Sequence, residues 1–170
     1  MKKLYILFLF ALTQTFNSFG QSKIQTGKSK SPTTQQAKLI GTWRLIEFSN
    51  LASATSKWTY PYGINPKGYF TYTKSGIVNL NISTETPLKF SEDSAKNYNI
   101  NLLNWADHFS LGYFGTYTVD FNQSIVTHHV KGGSLPWYID TDQPRPFILK
   151  CDTLIIGDSK TWKRVLVKTD

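Results

Sequence analysis

The chain has 170 residues and a formal net charge of +8 at pH 7, but most of that charge precedes the region expected to fold. Six of the 19 basic residues and none of the 11 acidic ones lie before Leu39, which leaves a charge of +2 on the remainder. A nucleic-acid surface needs Lys and Arg side chains clustered on the folded domain. The charge distribution therefore argues against a nucleic-acid partner.

The first 20 residues have the pattern of a cleaved signal peptide. Two lysines precede the apolar run Leu4–Leu12, and the small residues Ser18 and Gly20 precede an expected cut before Gln21. The apolar run is shorter than the ~20 residues that a membrane-spanning helix needs, so a cleaved signal is favoured over a membrane anchor. We expect an exported protein, periplasmic or secreted, with no stable membrane span after signal removal.

Residues 21–38 are rich in Ser, Thr, Gln and Lys, with no aromatic residue and almost no large aliphatic one. Such a segment buries too little apolar area to offset the entropy lost on ordering, which predicts a disordered linker. Residues 39–170 are long enough to form one domain with its own core.

Alternating apolar and polar residues predict an all-β domain of eight short strands. The predicted strands are Gly41–Phe48, Gly68–Thr73, Ile77–Thr84, Tyr113–Phe121, Ile125–Lys131, Arg145–Cys151, Thr153–Ile156 and Thr161–Lys168. Polar turns separate them, and no strand–helix–strand rhythm is present. This pattern favours an eight-stranded antiparallel up-and-down barrel, with a two-layer sandwich as the alternative.

The segment Pro87–Ser110 departs from this alternation. Leu102, Trp105 and Phe109 recur at a spacing that gives a helix one apolar side. We therefore expect a short helical insertion between predicted strands 3 and 4, packed over one end of the barrel.

A predicted hairpin brings the most informative polar residues together. If Phe121 pairs with Ser124, then Tyr117 lies opposite His128 and both point into the barrel. Adjacent strand residues face opposite ways, so His129 should face solvent, and the two histidines cannot hold one metal ion. The chain has a single cysteine, which rules out a zinc site built on a Cys pair. We expect no metal and no cofactor.

The same alternation on the predicted strand Arg145–Cys151 points Arg145 inward near a rim. An inward guanidinium needs an anionic partner, either Glu47 or an acidic ligand. Cys151 falls on the same inward face, which predicts a small buried side chain rather than a reactive thiol.

Several sequence blocks resemble one known family, the lipocalin-like domain of the calycin type found in many bacterial exported or uncharacterised proteins. The resemblance covers nearly all of residues 39–168. It rests on Leu39–Leu45, Tyr60–Gly63, Asn65–Tyr69 with Tyr72 and Thr73, Tyr113–Tyr117, Val126–Val130 and Trp162–Val165.

The resemblance implies an eight-stranded barrel with a cavity. It also implies that Trp43 of the first strand stacks against Arg164 of the last strand at the closed end, which is a role in the fold. The sequence departs from the family pattern at Gly132–Tyr138 and at Pro87–Ser110. Both segments would help to form the mouth of the cavity.

These observations favour a non-enzymatic barrel that binds a small, mostly apolar or amphipathic molecule with a polar or acidic end. The candidate ligand-binding residues are Tyr72, Tyr117, His128, Trp137 and Arg145. One alternative is an enzyme of the isomerase or cyclase type, with His128 as general acid or base and Tyr117 as hydrogen-bond donor. Another is a structural module whose interior is filled by side chains.

Overall fold

The computed structural model describes residues 34–87 and 110–169 and shows one antiparallel sheet closed on itself. A short helix, α1 (Thr34–Leu39), precedes the sheet, and a 3-10 turn (Pro136–Tyr138) interrupts it. The strands are β1 (Gly41–Ala52), β2 (Lys57–Thr59), β3 (Lys67–Tyr72), β4 (Ile77–Ser83), β5 (Ser110–Asp120), β6 (Ile125–Gly133), β7 (Asp142–Lys150), β8 (Thr153–Ile156) and β9 (Trp162–Lys168).

The sheet closes because β1 pairs with β3 on one side and with β9 on the other, while β3 to β9 follow one another in chain order. The predicted all-β, eight-stranded up-and-down barrel is confirmed, and the sandwich alternative is wrong. An additional strand, β2, pairs with the far end of β1 at Asn50–Ala52. Sequence reasoning missed it because three residues are too few to show an alternating pattern.

Some predicted segments fall outside the described residues. They are the signal peptide, most of the linker and the helical insertion, whose central part is residues 88–109. The last five residues of the predicted linker, 34–38, belong to α1 instead. Within the two described ranges, no helix is long and apolar enough to cross a membrane.

The pairing of β5 with β6 has the predicted register. Tyr117 lies opposite His128, and both side chains are buried. His129 lies on the outer face, where its ring nitrogens contact Asp142 Oδ1 at 2.6 Å and Thr118 Oγ1 at 3.0 Å. The hairpin therefore delivers one histidine to the interior and one to the outer surface, as the two-residue period of a strand requires.

Trp43 fills the interior at the α1 end of the barrel. Its side chain is fully buried, and its indole Nε1–H donates to the Leu39 carbonyl at 2.9 Å. The cation over its ring is Lys168, with Nζ 5.3 Å from the ring centroid. The expected stacking of Arg164 on Trp43 is wrong. Trp43 pairs with Lys168 across β1 and β9, whereas Arg164 pairs with Phe48, further toward the opposite end.

The expectation that Cys151 is buried is also wrong. β7 ends at Lys150, and Cys151 lies exposed in the turn to β8 with a φ of 47°. The alternation used to place the cysteine does not extend past the end of the strand.

Glu47 is not the partner of Arg145. The register of β1 against β9 shifts between Leu45 and Glu47, and such a bulge changes which face the following residues occupy. Phe48 is buried as a result. Glu47 instead contacts Lys163, with 3.1 Å between Oε1 and Nζ.

Candidate ligand pocket

A pocket of about 470 Å³ occupies the barrel end opposite α1. Its volume lies within the range of ~300–1,000 Å³ typical of small-molecule sites. Much of its wall is apolar and comes from five different strands, through Phe48, Phe70, Leu80, Ile82, Leu111 and Ile156. Trp137, which is 51% exposed, lies at the mouth. The interior is therefore not filled by its own side chains at this end.

A second hollow of about 610 Å³ lies near the α1 end, between the turns that join β5 to β6 and β7 to β8. Its polar members Lys38, Ser124 and Asp152 are exposed and Lys168 is half-buried, so none of its lining residues is a buried polar group. The pocket at the opposite end contains such a group, the imidazole of His128. That end is the candidate site.

His128 lies at the inner wall of the pocket, between two tyrosine hydroxyls. The Tyr72 hydroxyl is 2.9 Å from Nε2, and the Tyr113 hydroxyl is 2.8 Å from Nδ1. Tyr113 lines the pocket, whereas Tyr72 is fully buried behind His128. These three side chains form a hydrogen-bonded row, Tyr72–His128–Tyr113. Each comes from a different strand: Tyr72 from β3, His128 from β6 and Tyr113 from β5.

Burial keeps all three groups neutral. It lowers the pKa of His128 to about 3, and the positive charge of Arg145 contributes in the same direction. Burial also raises the pKa of Tyr113 to about 12 and raises that of Tyr72 well above its ordinary value. At neutral pH the row thus consists of one neutral imidazole and two protonated phenols.

Arg145 lies beside this row. Its Nη2 donates to the Gln143 side-chain oxygen at 3.0 Å and to the Tyr138 hydroxyl at 3.3 Å. The guanidinium carbon is 5.6 Å from the ring centroid of Tyr138 and 5.5 Å from that of Trp162. The neighbouring positive charge lowers the pKa of Tyr113 against the effect of burial.

Arg164 is the second guanidinium in the pocket. Its Nη1 donates to the Ser49 carbonyl, the Asn50 side-chain oxygen and the Lys163 carbonyl at 2.8–2.9 Å. Its guanidinium carbon is 5.2 Å from the ring centroid of Trp162. Burial, and then repulsion from Arg145, lower the pKa of Arg164 to about 10, so it remains charged at neutral pH.

Neither pocket arginine has an anionic partner among residues 34–87 and 110–169. The carboxylates that form ion pairs there are Asp140, Asp142 and Glu47, and they contact Lys131, His129 and Lys163. The pocket therefore holds two positive charges that the described part of the chain does not balance.

Comparison with known proteins places this barrel in a family. The family model of the lipocalin-like domain matches residues 40–169. The chain belongs to the lipocalin-like domain family. Among solved structures, this lipocalin-like domain is similar to a DUF4847 family protein from Bacteroides vulgatus ATCC 8482, at 12% sequence identity and a TM-score of 0.40. That match covers 81% of this chain and 100% of the other. No curated protein matches the chain.

Three of the five residues predicted to bind ligand line the pocket of this lipocalin-like domain: His128, Trp137 and Arg145. The other two do not line it. Tyr72 contacts His128 from behind, and the Tyr117 hydroxyl donates to the Thr73 carbonyl at 2.9 Å.

Several other residues line the pocket but were not among the predicted ligand-binding residues, including Tyr113, Tyr138, Trp162 and Arg164. The alternation that places Tyr117 inward also places Tyr113 inward, four residues earlier on β5. That signal was present in the sequence. Arg164 was instead assigned to the closed end by the family resemblance.

The lipocalin-like domain offers little support for acid–base catalysis by His128. Both ring nitrogens already contact tyrosine hydroxyls, and the low pKa leaves the imidazole a weak base. Tyr117, the other residue of that hypothesis, does not reach the pocket. The described residues also contain no cluster of His, Cys, Asp or Glu side chains that could hold a metal ion.

Proposed function

We propose that this chain is an exported lipocalin-like protein that binds a small, mostly apolar molecule with an acidic end. The ligand lies in the 470 Å³ pocket, with its anionic end at the arginines and its apolar part against the barrel wall. Trp137 and Arg145 contact it directly, His128 forms part of the inner wall, and Tyr72 acts through His128.

The observation that carries this proposal is the pair of guanidinium groups without a described carboxylate partner. Charges removed from water are stabilised by pairing, and guanidinium groups bind carboxylates with directed hydrogen bonds. Arg145 and Arg164 bring two guanidinium groups into one partly apolar pocket. An anionic group on the ligand relieves both the repulsion and the loss of hydration.

The rest of the pocket supports an apolar ligand body. Its wall combines aliphatic side chains with aromatic rings, and Phe48 and Tyr62 pack edge to face with 4.6 Å between their centroids. Burying apolar ligand surface here contributes roughly 25 cal/mol per Å² before the costs of binding are subtracted.

Export is supported by the N-terminal sequence, with its two lysines, its apolar run and its small residues before Gln21. Fractionation of cells that express the full chain, followed by N-terminal sequencing, tests it. The expected result is a mature chain beginning at Gln21 in the periplasm or medium. A full-length chain retained in the cytoplasm contradicts export.

Ligand binding is tested in two steps. Native mass spectrometry and solvent extraction of the purified protein search for a molecule that has co-purified. Thermal unfolding is then measured with decanoate and with 1-decanol, which share an apolar chain but differ in charge. We expect decanoate to raise the midpoint more than decanol. No stabilisation by either compound, together with no extracted molecule, would overturn the proposal.

A further inference from the structure

The row Tyr72–His128–Tyr113 has three polar hydrogens for two contacts, so one hydroxyl hydrogen must point to a partner outside the row. A neutral imidazole has one N–H donor and one nitrogen acceptor, while each tyrosine hydroxyl has one hydrogen to donate. His128 therefore donates to one tyrosine and accepts from the other. The tyrosine that receives the imidazole hydrogen keeps its own hydroxyl hydrogen for another partner.

Tyr72 decides between the two arrangements. Its side chain has no solvent exposure, and within the described ranges the hydrogen-bond partner of its hydroxyl is His128 Nε2. If Nε2 carried the hydrogen, the Tyr72 O–H would be a buried donor without an acceptor. An unsatisfied buried donor is costly, so Tyr72 donates to Nε2.

The imidazole hydrogen must then be on Nδ1, 2.8 Å from the Tyr113 hydroxyl. Tyr113 accepts that hydrogen bond, and its own O–H remains available. Tyr113 lines the pocket, and its raised pKa keeps the phenol protonated. Arg145, a pure donor, cannot accept the hydroxyl hydrogen.

We infer that Tyr113 donates its hydroxyl hydrogen to a carboxylate oxygen of the ligand, and that Tyr72 and His128 position this donor from behind. This inference deepens the proposed function and rests on it. The ligand class is a carboxylic acid in its ionised form, with one oxygen at Tyr113 and the charge balanced by Arg145. Tyr113 is thus a specificity-determining residue, and Tyr72 and His128 are positioning residues.

The tautomer of His128 is measured without any ligand. Long-range ¹H–¹⁵N correlation spectra of the histidine rings distinguish a hydrogen on Nδ1 from one on Nε2. The expected result for the wild-type protein is Nδ1–H. Replacement of Tyr72 by Phe removes the donor to Nε2, and the second tautomer should then become populated. A wild-type Nε2–H tautomer overturns the inference.

Ligand recognition is measured by calorimetric titration with decanoate and 1-decanol. Loss of a hydrogen bond to a charged group predicts about 10- to 100-fold weaker decanoate binding for Tyr113→Phe, with a much smaller change for decanol. Tyr72→Phe should also weaken decanoate binding, although Tyr72 does not line the pocket. Tyr69→Phe, on the exposed face of β3, is the matched control and should leave binding unchanged.

The outcomes separate the inference from the proposed function. If neither compound binds the wild-type protein, the proposed function fails. The NMR measurement of the His128 tautomer then still tests whether the Tyr113 hydroxyl is free to donate. If decanoate binds the wild type and Tyr113→Phe equally well, the inference fails and the proposed function stands. Thermal unfolding of each variant without ligand shows that the fold is intact.

Discussion

The guanidinium carbon of Arg164 lies 3.3 Å from the ring centroid of Phe48. This contact joins β9 to β1 at the pocket end of the barrel, where the strand register pairs the two residues. Arg164 thus combines a cation–π contact with three hydrogen bonds from one nitrogen. Arg145, by comparison, has fewer contacts with the chain.

Replacement of Arg164 by Lys should therefore destabilise the fold even though the charge is kept. An ammonium has no flat face and cannot stack on the Phe48 ring as closely as the guanidinium does. We expect the free energy of unfolding to fall by about 1–2 kcal/mol, measured by urea denaturation. Unchanged stability would contradict the fold role of Arg164.

Replacement of Arg145 by Gln should act on binding. We expect decanoate affinity to fall by about 10- to 100-fold, because the charge nearest Tyr113 is lost. Affinity for 1-decanol should stay nearly constant. Arg44→Gln, which removes an exposed arginine from the outer face of β1, serves as the control. An equal loss for both compounds would point to altered packing rather than lost charge recognition.

Stability should depend on pH through His128. Its pKa is lowered from 6.5 to about 3 in the folded protein, chiefly by burial. Between those values the unfolded chain binds a proton that the folded chain does not bind. The free energy of unfolding should therefore fall as pH decreases through this window, by up to about 1.4 kcal/mol per pH unit.

His128→Gln removes this titration, and other groups titrate alike in both proteins. The stability advantage of the wild type over the variant should therefore shrink as the pH is lowered from about 7 to about 4. Urea denaturation at several pH values measures it. A difference that stays constant with pH would contradict the buried, neutral state of His128.

The contact between Lys168 and Trp43 makes a smaller contribution. Lys168→Gln should lower the free energy of unfolding by about 0.5–1 kcal/mol, the range for a partly exposed cation–π pair. Lys168→Arg keeps a cation over the indole and should retain most of that stability. If both variants lose the same free energy of unfolding, the contact between the cation and the Trp43 ring is not the cause of the loss.

Two glycines of the β5–β6 pair should differ sharply in their tolerance of a methyl group. A Cβ atom at Gly115, opposite the bulge in β6, would overlap the backbone carbonyl of His129. At Gly132 the nearest atom is Cζ of Phe114, at 2.7 Å, in a ring that is half exposed and free to move. Urea denaturation should show a loss of about 1–3 kcal/mol for Gly115→Ala and a change within about 0.5 kcal/mol for Gly132→Ala. Equal losses would contradict this difference.

The fold was predictable where side-chain alternation runs unbroken. The barrel and the pairing of Tyr117 with His128 followed from the two-residue period of β5 and β6. The side-chain directions predicted from this period were wrong where the backbone departs from a regular strand. The bulge before Glu47 and the turn at Cys151 each moved a side chain to a face that alternation had not predicted.

The site was less predictable because it depends on contacts between distant strands. Alternation places a side chain inside the barrel but does not say at which end. Tyr117 was expected in the pocket and instead bonds to the Thr73 carbonyl. Arg164 was expected beneath Trp43, but the register of β9 against β1 brings it to the pocket. Such registers join residues more than a hundred positions apart, and no local pattern reports them.

Closure of the barrel by β1 and β9 sets the order in which the protein can assemble. The pairing of β1 with β9 cannot form until β9 is available, since Trp43 meets Lys168 only after the whole domain is present. Contacts this distant in sequence slow folding. A chain that appears from its N-terminus onward therefore cannot close the barrel before β9 is present. For the export proposed above, this means that the barrel remains open until the C-terminal strand has left the channel.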